Sequence, residues 1–288
     1  MLNAVWVSDL GTDEARVTDL LKAVADVDGK PEIEDGFPFR GGKHLLASVD
    51  GELVGYAHLD TDGDAFGNQV AELFVHPEHR RKGYGGSLVQ ALSVKGPLRI
   101  WAHGDHPAAA AIAARQGLAR ARELLVLHTE VKDWPEPAVE LRTFVKGQDE
   151  QAVIDVNARA FDWHPEQGSL TVEELRATED KAWFDPEGFF LAEDANGKVI
   201  GFHWTKVHAA DPKRFGGEPV GEVYVVGVDP AAQGGGLGKA LTLAGLRYLR
   251  DRGLRQIILY VEGDNSAALA VYSKLGFQRF SVDVQYAG

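Results

Sequence analysis

The sequence predicts an α/β protein made of two related domains in tandem, and three observations point there. A glycine-loop pattern of the form Gln/Arg-x-x-Gly-x-Gly occurs twice, as Arg80-Arg81-Lys82-Gly83-Tyr84-Gly85 and as Gln233-Gly234-Gly235-Gly236-Leu237-Gly238. Each copy follows an apolar run ending in proline, 73–77 and 226–230, and precedes an amphipathic stretch, so each reads as strand, tight turn and helix start. That order crowds free backbone N–H groups around one point and suits a pyrophosphate. Second, residues 101–120 align without a gap on 260–279, sharing Gly104/Gly263, Asp105/Asp264, Ala108/Ala267 and Gly117/Gly276. Third, the hairpin-like stretch 44–55 resembles 189–201. Three segments repeated in one order indicate a duplication, and 288 residues is a length at which a single core tends to split.

Taken in order, residues 12–27 read as an opening helix, capped by Thr12 or Asp13, with Ala15, Val17, Leu20, Leu21, Val24 and Val27 as its apolar positions. Two strands then meet at Asp50-Gly51, a dipeptide that tolerates the positive φ of a hairpin turn, and Asn196-Gly197 repeats the device. The first glycine loop leads into a helix from Tyr84 through Leu88, Ala91 and Leu92. Pro107 stands near the first position of the next helix, where its missing N–H costs little. Asp133-Trp134-Pro135-Glu136-Pro137 breaks both periodicities and is read as a linker, 133–138, between domains at 1–132 and 139–288. After the second loop, Leu237, Ala240, Leu241, Ala244 and Tyr248 recur every three or four residues and give one sheet-facing side. The strand 256–261 leads to Asp264-Asn265-Ser266, where Asn265 is an N-cap, and to a helix stopped at Gly276.

The chain carries 43 acidic and 30 basic residues, a net charge of −13, which argues against general binding to nucleic acid or anionic membranes. Against that background the local cluster Arg80-Arg81-Lys82 stands out. No apolar run approaches the roughly 20 residues of a membrane span, and Asp9, Asp13 and Glu14 sit where a signal peptide would be apolar. A soluble, cytoplasmic monomer is expected. There are no cysteines, which excludes disulfides, thiolate metal sites and a cysteine nucleophile, so any thiol chemistry must belong to a ligand.

A lone Gly-x-Gly is weak, and a dinucleotide-binding turn is its usual alternative. Neither copy completes G-x-G-x-x-G at the start of the chain's βαβ unit with an acidic residue about 20 positions on. Here the loop is paired in each half with a downstream strand, a Gly-Asp turn, a helix and an ending of the Leu-Gly-Phe type. In those two loops, and in Asn265…Tyr272…Leu275-Gly276-Phe277, the chain resembles the GNAT N-acetyltransferases. The resemblance implies two tandem GNAT (acyl-CoA N-acyltransferase) domains, each a mixed, splayed central sheet flanked by helices. It implies acetyl-CoA as co-substrate, its pantetheine arm pairing like an added strand with Val226, Gly227 and Val228 where two central strands part at a bulge. The pyrophosphate would lie on Gln233, Gly234, Gly235, Gly236, Leu237, Gly238 and Lys239, with further contacts from Asn265, Ser266, Ala267, Ala268, Leu269 and Ala270. In the first half Leu73, Phe74 and Val75, with Arg80, Arg81, Lys82, Gly83, Tyr84, Gly85 and Gly86, match the same positions, so a second acetyl-CoA is part of the expectation.

Further segments are similar to tandem GNAT enzymes of actinobacteria that acetylate the cysteinyl amine of desacetylmycothiol, a cysteine joined to glucosamine and inositol. They are 163–168, 183–186, 202–206, 221–230 and 281–283. An ammonium cannot attack a thioester, so a base must take its proton, and an acid should protonate the departing thiolate. The resemblance makes Glu222 the base and Tyr272 the acid of a direct transfer, with the Val228 N–H as a donor to the thioester oxygen. By strand alternation Glu222 shares a face with Tyr224. When the halves are aligned on their glycine loops Glu222 faces Gln69, and when 101–120 is set on 260–279 Tyr272 faces Ala113, while Glu72 aligns with Val225 at the opposite strand parity. The first domain is therefore expected to bind CoA without catalysing. For the acceptor the resemblance points to Glu166, Lys206, Glu222 and Tyr260, and to Glu34 or its neighbour Asp35 from the first domain. His164 and His203 lack partners at ligand spacing, so no metal is expected. Gly234-Gly235 replace the basic residues of the first loop, which predicts weaker pyrophosphate binding in the second. Two alternatives stay open: the same chemistry on another amine, such as an aminoglycoside or a protein N-terminus, and a non-catalytic acyl-CoA sensor.

Overall fold

The computed structural model describes residues 1–28, 39, 41–64, 66–93, 97–164, 167–212 and 215–288. It divides into two compact units, Met1–Glu123 together with Val282–Gly288, and Leu124–Ser281. In chain order the first part contributes β1 (Asn3–Val7), α1 (Glu14–Asp28), β2 (Lys43–Val49), β3 (Glu52–Asp60), β4 (Gln69–Val75), α2 (Tyr84–Leu92), β5 (Leu98–Ala102), α3 (Pro107–Arg115) and β6 (Ala119–Glu130). The remainder contributes β7 (Arg142–Thr143), α4 (Glu150–Ala160), α5 (Val172–Glu179), β8 (Phe189–Glu193), β9 (Val199–His208), β10 (Val220–Val228), α6 (Leu237–Asp251), β11 (Gln256–Glu262), α7 (Ser266–Leu275) and β12 (Gln278–Ala287).

In the first unit the strands run β1-β2-β3-β4-β5, and β5 is followed by the end of β12 in the register Val284↔Ala102 to Ala287↔Arg99. Every neighbouring pair is antiparallel except β4 with β5. The β2–β3 turn places Asp50 at φ 50° and Gly51 at φ 86°, the left-handed pair that the sequence requires. The opening helix starts differently from expectation. Gly11–Asp13 form a 3-10 turn that runs straight into α1, so neither Thr12 nor Asp13 caps it, and Asp13 instead accepts from Arg16 at 2.6 Å. Val17, Leu20, Leu21 and Val24 of α1 pack with Leu46, Leu53 and Tyr56, while Leu88, Val89 and Leu92 of α2 pack with Leu45, Ala57, Leu59 and Ala71. The alternation of those strand residues covers both faces of the sheet with helix.

The second unit has the strand order β6-β11-β10-β9-β8-β7, again antiparallel except for one central pair, β10 with β11. The neighbour of β11 is the end of β6, in the register Gln256↔Glu130 to Glu262↔Leu124. Each half thus supplies its last strand to the other half's unit, and the units divide at Glu123/Leu124, ahead of the expected 133–138 linker. That stretch is fixed within the second unit: Trp134 is buried, its indole N–H donates to the Leu275 carbonyl at 3.1 Å, and Arg247 donates to the Trp134 carbonyl at 2.7 Å. Asn265 caps α7 by accepting from the Ala268 N–H at 3.1 Å, and Gly276 ends it at φ 93°, both as predicted.

Alternate residues of β9 face opposite helices. Phe202 and Trp204 join Val153, Val156, Phe189 and Val225 on the α4 side, whereas His203 is turned to α6, where its Nδ1 lies 2.8 Å from the Leu241 carbonyl oxygen. A Cβ on Gly245 would fall inside the His203 imidazole, so the helix needs glycine there despite its conformational cost. Burial pushes the His203 imidazole down from 6.5 to about 4, with the bond to Leu241 offsetting only part of that effect. The unfolded side chain takes a proton below its ordinary value and the folded one does so only near 4, so stability present above 6.5 is lost as pH falls through this window. Between pH 7 and pH 5 this one group should cost on the order of 2 kcal/mol of stability. Urea denaturation at the two pH values checks this: the wild-type loss should exceed that of His203→Gln by about this amount.

Candidate active site

In the second unit β10 and β11 are paired at only three positions, Gly221↔Ile257, Glu222↔Ile258 and Val223↔Leu259, after which the parallel pairing stops. On its other side β10 continues against β9 to Val228↔Gly201, with a register shift between Val223 and Val225 that makes Tyr224 an extra residue. The splay at a bulge stands as expected there. The first unit also parts after three parallel pairs, Gln69↔Leu98, Val70↔Arg99 and Ala71↔Ile100, but β3 and β4 keep an unbroken register from Gly55↔Val75 to Asp60↔Val70.

This difference corrects the alignment on the glycine loops. Val75↔Gly55 corresponds to Val228↔Gly201, and counting back from there through the bulge sets Glu222 opposite Val70 rather than Gln69. The parity argument against Glu72 falls with it, because Glu72 lies two residues from Val70 and shares its face. Its carboxylate is engaged, however. His103 Nε2 is 3.0 Å from Glu72 Oε2, His103 Nδ1 is 3.2 Å from Asp283 Oδ2, and Asp283 accepts the Gly104 N–H at 2.8 Å. Burial works against a charge on His103, but the bonds to Asp283 and Glu72 prevail and raise it to about 10, so it is an imidazolium at neutral pH.

The two glycine loops share one backbone path. Gly83 and Gly236 stand at φ 89° and 81°, and Arg81 and Gly234 at φ 65° and 92°. Each loop is tied to its strand by its first residue: Arg80 Nε donates to the Val75 carbonyl at 3.2 Å, and Gln233 Nε2 to the Val228 carbonyl at 3.3 Å. This accounts for glutamine or arginine at that place, since both have a donor at the same reach. The remaining donors of Arg80 hold Asp28 in a two-pronged ion pair at 2.8 and 2.7 Å, so its charge is already neutralised. Glycine at 234 answers a backbone demand that Arg81 meets under strain. α2 and α6 begin directly after these turns, with first-turn N–H groups that no carbonyl of their own helix can reach.

The acid and base candidates sit on separate elements. Glu222, in the last turn of pleat before the bulge, is 4% exposed, and its Oε2 lies 2.6 Å from His208 Nε2. Lys206 is its direct cross-strand partner, yet the ammonium lies over the rings of Trp183 and Tyr224, 5.0 and 5.7 Å from their centres. Those contacts set Tyr224 on the Glu222 side, as alternation predicted. Tyr260 follows Ile258 by two residues on β11 and so has the same parity as Glu222. Tyr272 is on α7, edge-on to Phe277 with centroids 5.8 Å apart, and burial pushes its phenol up to about 12, keeping it protonated at neutral pH. His164 Nε2 is 3.7 Å from Glu262 Oε1. Glu34, Asp35 and Glu166 lie outside the described residues. Sequence reading missed His208, although it follows Lys206 at the same strand parity.

The model of the acetyltransferase (GNAT) family matches this chain twice, at residues 16–118 and 157–277. The chain belongs to the GNAT family. This GNAT protein is an acetyltransferase with acetyl-CoA as its donor. It is similar to the mycothiol acetyltransferase of Amycolatopsis mediterranei, with 66% identity over 98% of this chain and 97% of that one. The mycothiol acetyltransferase of Saccharomonospora viridis is 62% identical over 100% of this chain and 99% of its own. Among solved structures, a GCN5-related N-acetyltransferase from Sphaerobacter thermophilus shares the fold at TM-score 0.68 and 22% identity, covering 99% of this chain and 95% of that one. A tandem GNAT protein from the clavulanic acid biosynthesis pathway does so at TM-score 0.65 and 19% identity, covering 100% of this chain and 98% of that one. The predicted class, two tandem GNAT domains with mixed, splayed sheets flanked by helices, therefore stands.

The shared loop path of these GNAT units has a measurable consequence. Arg81→Gly should stabilise the protein by about 1 kcal/mol, whereas Gly234→Ala and Gly236→Ala should each cost about that much. Denaturant midpoints check the signs, and a stabilising Gly236→Ala would show that the turn does not need the left-handed conformation.

Proposed function

We propose that this acetyltransferase moves the acetyl group of acetyl-CoA to the cysteinyl amine of desacetylmycothiol, giving mycothiol and CoA. Identities of 66%, 62% and 50% to relatives named mycothiol acetyltransferase, over nearly the whole chain, support that acceptor. The observation that carries the chemistry is the buried Glu222 carboxylate at the edge of the splay. The amine loses a proton to Glu222 and its nitrogen forms a bond to the thioester carbon. The carbonyl oxygen gathers charge, for which the Val228 N–H is our proposed donor. As the tetrahedral centre collapses, the C–S bond breaks and Tyr272 protonates the departing thiolate; its raised phenol pKa keeps that proton available. No side-chain nucleophile is needed, so transfer is direct. Lys206 and Tyr260, at the parity of Glu222, suit an acceptor rich in hydroxyls, and we assign Glu34 and Glu166 to it on the family resemblance alone.

We read the pantetheine arm as pairing with Val226, Gly227 and Val228, and the pyrophosphate as lying on the loop from Gln233 to Lys239 with Asn265 to Ala270 nearby. In the first unit we propose a second acetyl-CoA that is bound without turnover. Val70 stands where the base would be, Ala113 where the acid would be, and Glu72 is held by an imidazolium. Its pyrophosphate would meet Arg81 and Lys82 rather than Arg80, which Asp28 neutralises. We take the enzyme to act as a cytoplasmic monomer without a nucleic-acid partner, in keeping with its net charge of −13. No helix among the described residues is long and apolar enough to cross a membrane.

Glu222→Gln and Tyr272→Phe should each lower kcat roughly 100-fold or more while leaving acetyl-CoA affinity near wild type. The assay is thiol release from acetyl-CoA with desacetylmycothiol offered beside an aminoglycoside and a peptide amine, corrected for the acceptor's own thiol. Preference for another amine would overturn the acceptor, and absence of turnover with all of them would favour the sensor reading. Calorimetric titration of the full chain with acetyl-CoA should resolve two classes of site. Arg81→Ala with Lys82→Ala should abolish the tighter class, and one class indifferent to those changes refutes the second site.

A further inference from the structure

His208 closes β9 and has no part in the transfer as derived above. We infer that His208 is the positioning residue of the catalytic base: it donates a hydrogen bond to Glu222 Oε2 and fixes the carboxylate for proton abstraction. The inference rests on Glu222 being the base. His208 Nε2 and Glu222 Oε2 are 2.6 Å apart, and their side chains are only 10% and 6% exposed. A carboxylate can only accept, so the Nε2 nitrogen carries the proton in this pair.

Strand register explains why a histidine holds the base when a lysine stands closer in the ladder. Glu222 is directly opposite Lys206, and His208, opposite Val220, is its diagonal neighbour on the same face. The Lys206 ammonium is drawn over the rings of Trp183 and Tyr224, and Tyr224 is there because the bulge adds it to that side. A lysine cation in direct contact would stabilise the carboxylate anion strongly and weaken it as a base. A histidine instead restrains the carboxylate through one directed N–H bond at a fixed place on the strand. By register parity Lys206, Tyr260, Glu262, His128 and Glu130 share this face, His128 opposite Ile258 and Glu130 opposite Gln256, and Tyr224 joins them at the bulge.

The proton balance is simple. The acceptor ammonium gives one proton to Glu222, whose Oε2 keeps the bond from His208 Nε2–H before and after; the second proton leaves the nitrogen as the amide forms and replaces the one that Tyr272 gives to the thiolate. What His208 supplies is orientation, and misplacing a reacting group by about 1 Å costs on the order of 100-fold in rate. The loss should therefore fall on kcat.

The test is steady-state kinetics of the full chain with acetyl-CoA and desacetylmycothiol. His208→Ala should lower kcat roughly 10- to 100-fold with the KM for acetyl-CoA unchanged. His208→Gln, whose amide N–H reaches a similar place, should regain most of that loss, and added imidazole should partly rescue the alanine variant. Wild-type kcat in His208→Ala, alongside an inactive Glu222→Gln, overturns the positioning role and leaves the base intact. A fully active Glu222→Gln instead removes the base on which this inference stands. If the alanine variant does not fold, His208→Gln decides: near wild-type kcat supports the role, and low kcat with undiminished acetyl-CoA affinity rejects it.

Discussion

The central strands of the second unit stay paired at Gly221, Glu222 and Val223 and then part, and the rest of the site is arranged around that divergence. Backbone N–H and C=O groups that leave a ladder must find other partners, because an unpaired buried amide costs about as much as a lost hydrogen bond. A sheet that opens in its middle therefore has a place for an extended, amide-bearing ligand, which a pantetheine arm is. The same opening sets Glu222 at its edge, with the body of the residue still locked in the ladder. Beyond the opening, the chain turns through Gly234 and Gly236 into α6, whose first-turn N–H groups are free of the helix.

The first unit repeats the opening and the turn but has different chemistry. Without a residue matching Tyr224, β4 passes the splay in even register and brings Val70 where the other unit has Glu222. On β4 the carboxylate of the right parity, Glu72, is bonded to an imidazolium that Asp283 also holds. That carboxylate already has a partner, whereas the splay of the second unit has its carboxylate at the position of Val70. Even its most basic loop is quieter than its composition suggests, because Arg80 is paired with Asp28.

The duplication, the glycine loops, the Asp50-Gly51 hairpin and the Asn265 and Gly276 caps were legible in the sequence because each depends on neighbours a few residues away. Glu222 and Tyr272 were legible only through resemblance; burial of the one and the raised phenol of the other are tertiary effects. The bulge at Tyr224 left no local mark: a tyrosine between valines fits a regular strand equally well, so aligning the halves without a gap shifted Glu222 by one residue. Trp134 carries a contact that was equally invisible in the sequence. Two prolines around it read as a linker, yet its indole is buried and bonded to the Leu275 carbonyl, a partner far along the chain. His208 was hidden for a related reason, since a diagonal contact across two strands depends on a register that periodicity alone does not give.

The exchange of terminal strands also bears on how the protein is made. A domain at the start of a chain ordinarily folds as soon as it has been synthesised. Here β5 must wait for residues 282–287, which follow the entire second unit in the order of synthesis. Until they arrive, the first sheet has an unfinished edge able to pair with another nascent chain. Neither half can be released by cutting at 133–138, because each fragment would keep a strand belonging to the other and lack one of its own. The two repeats are thus bound to be inherited, translated and folded as a single piece.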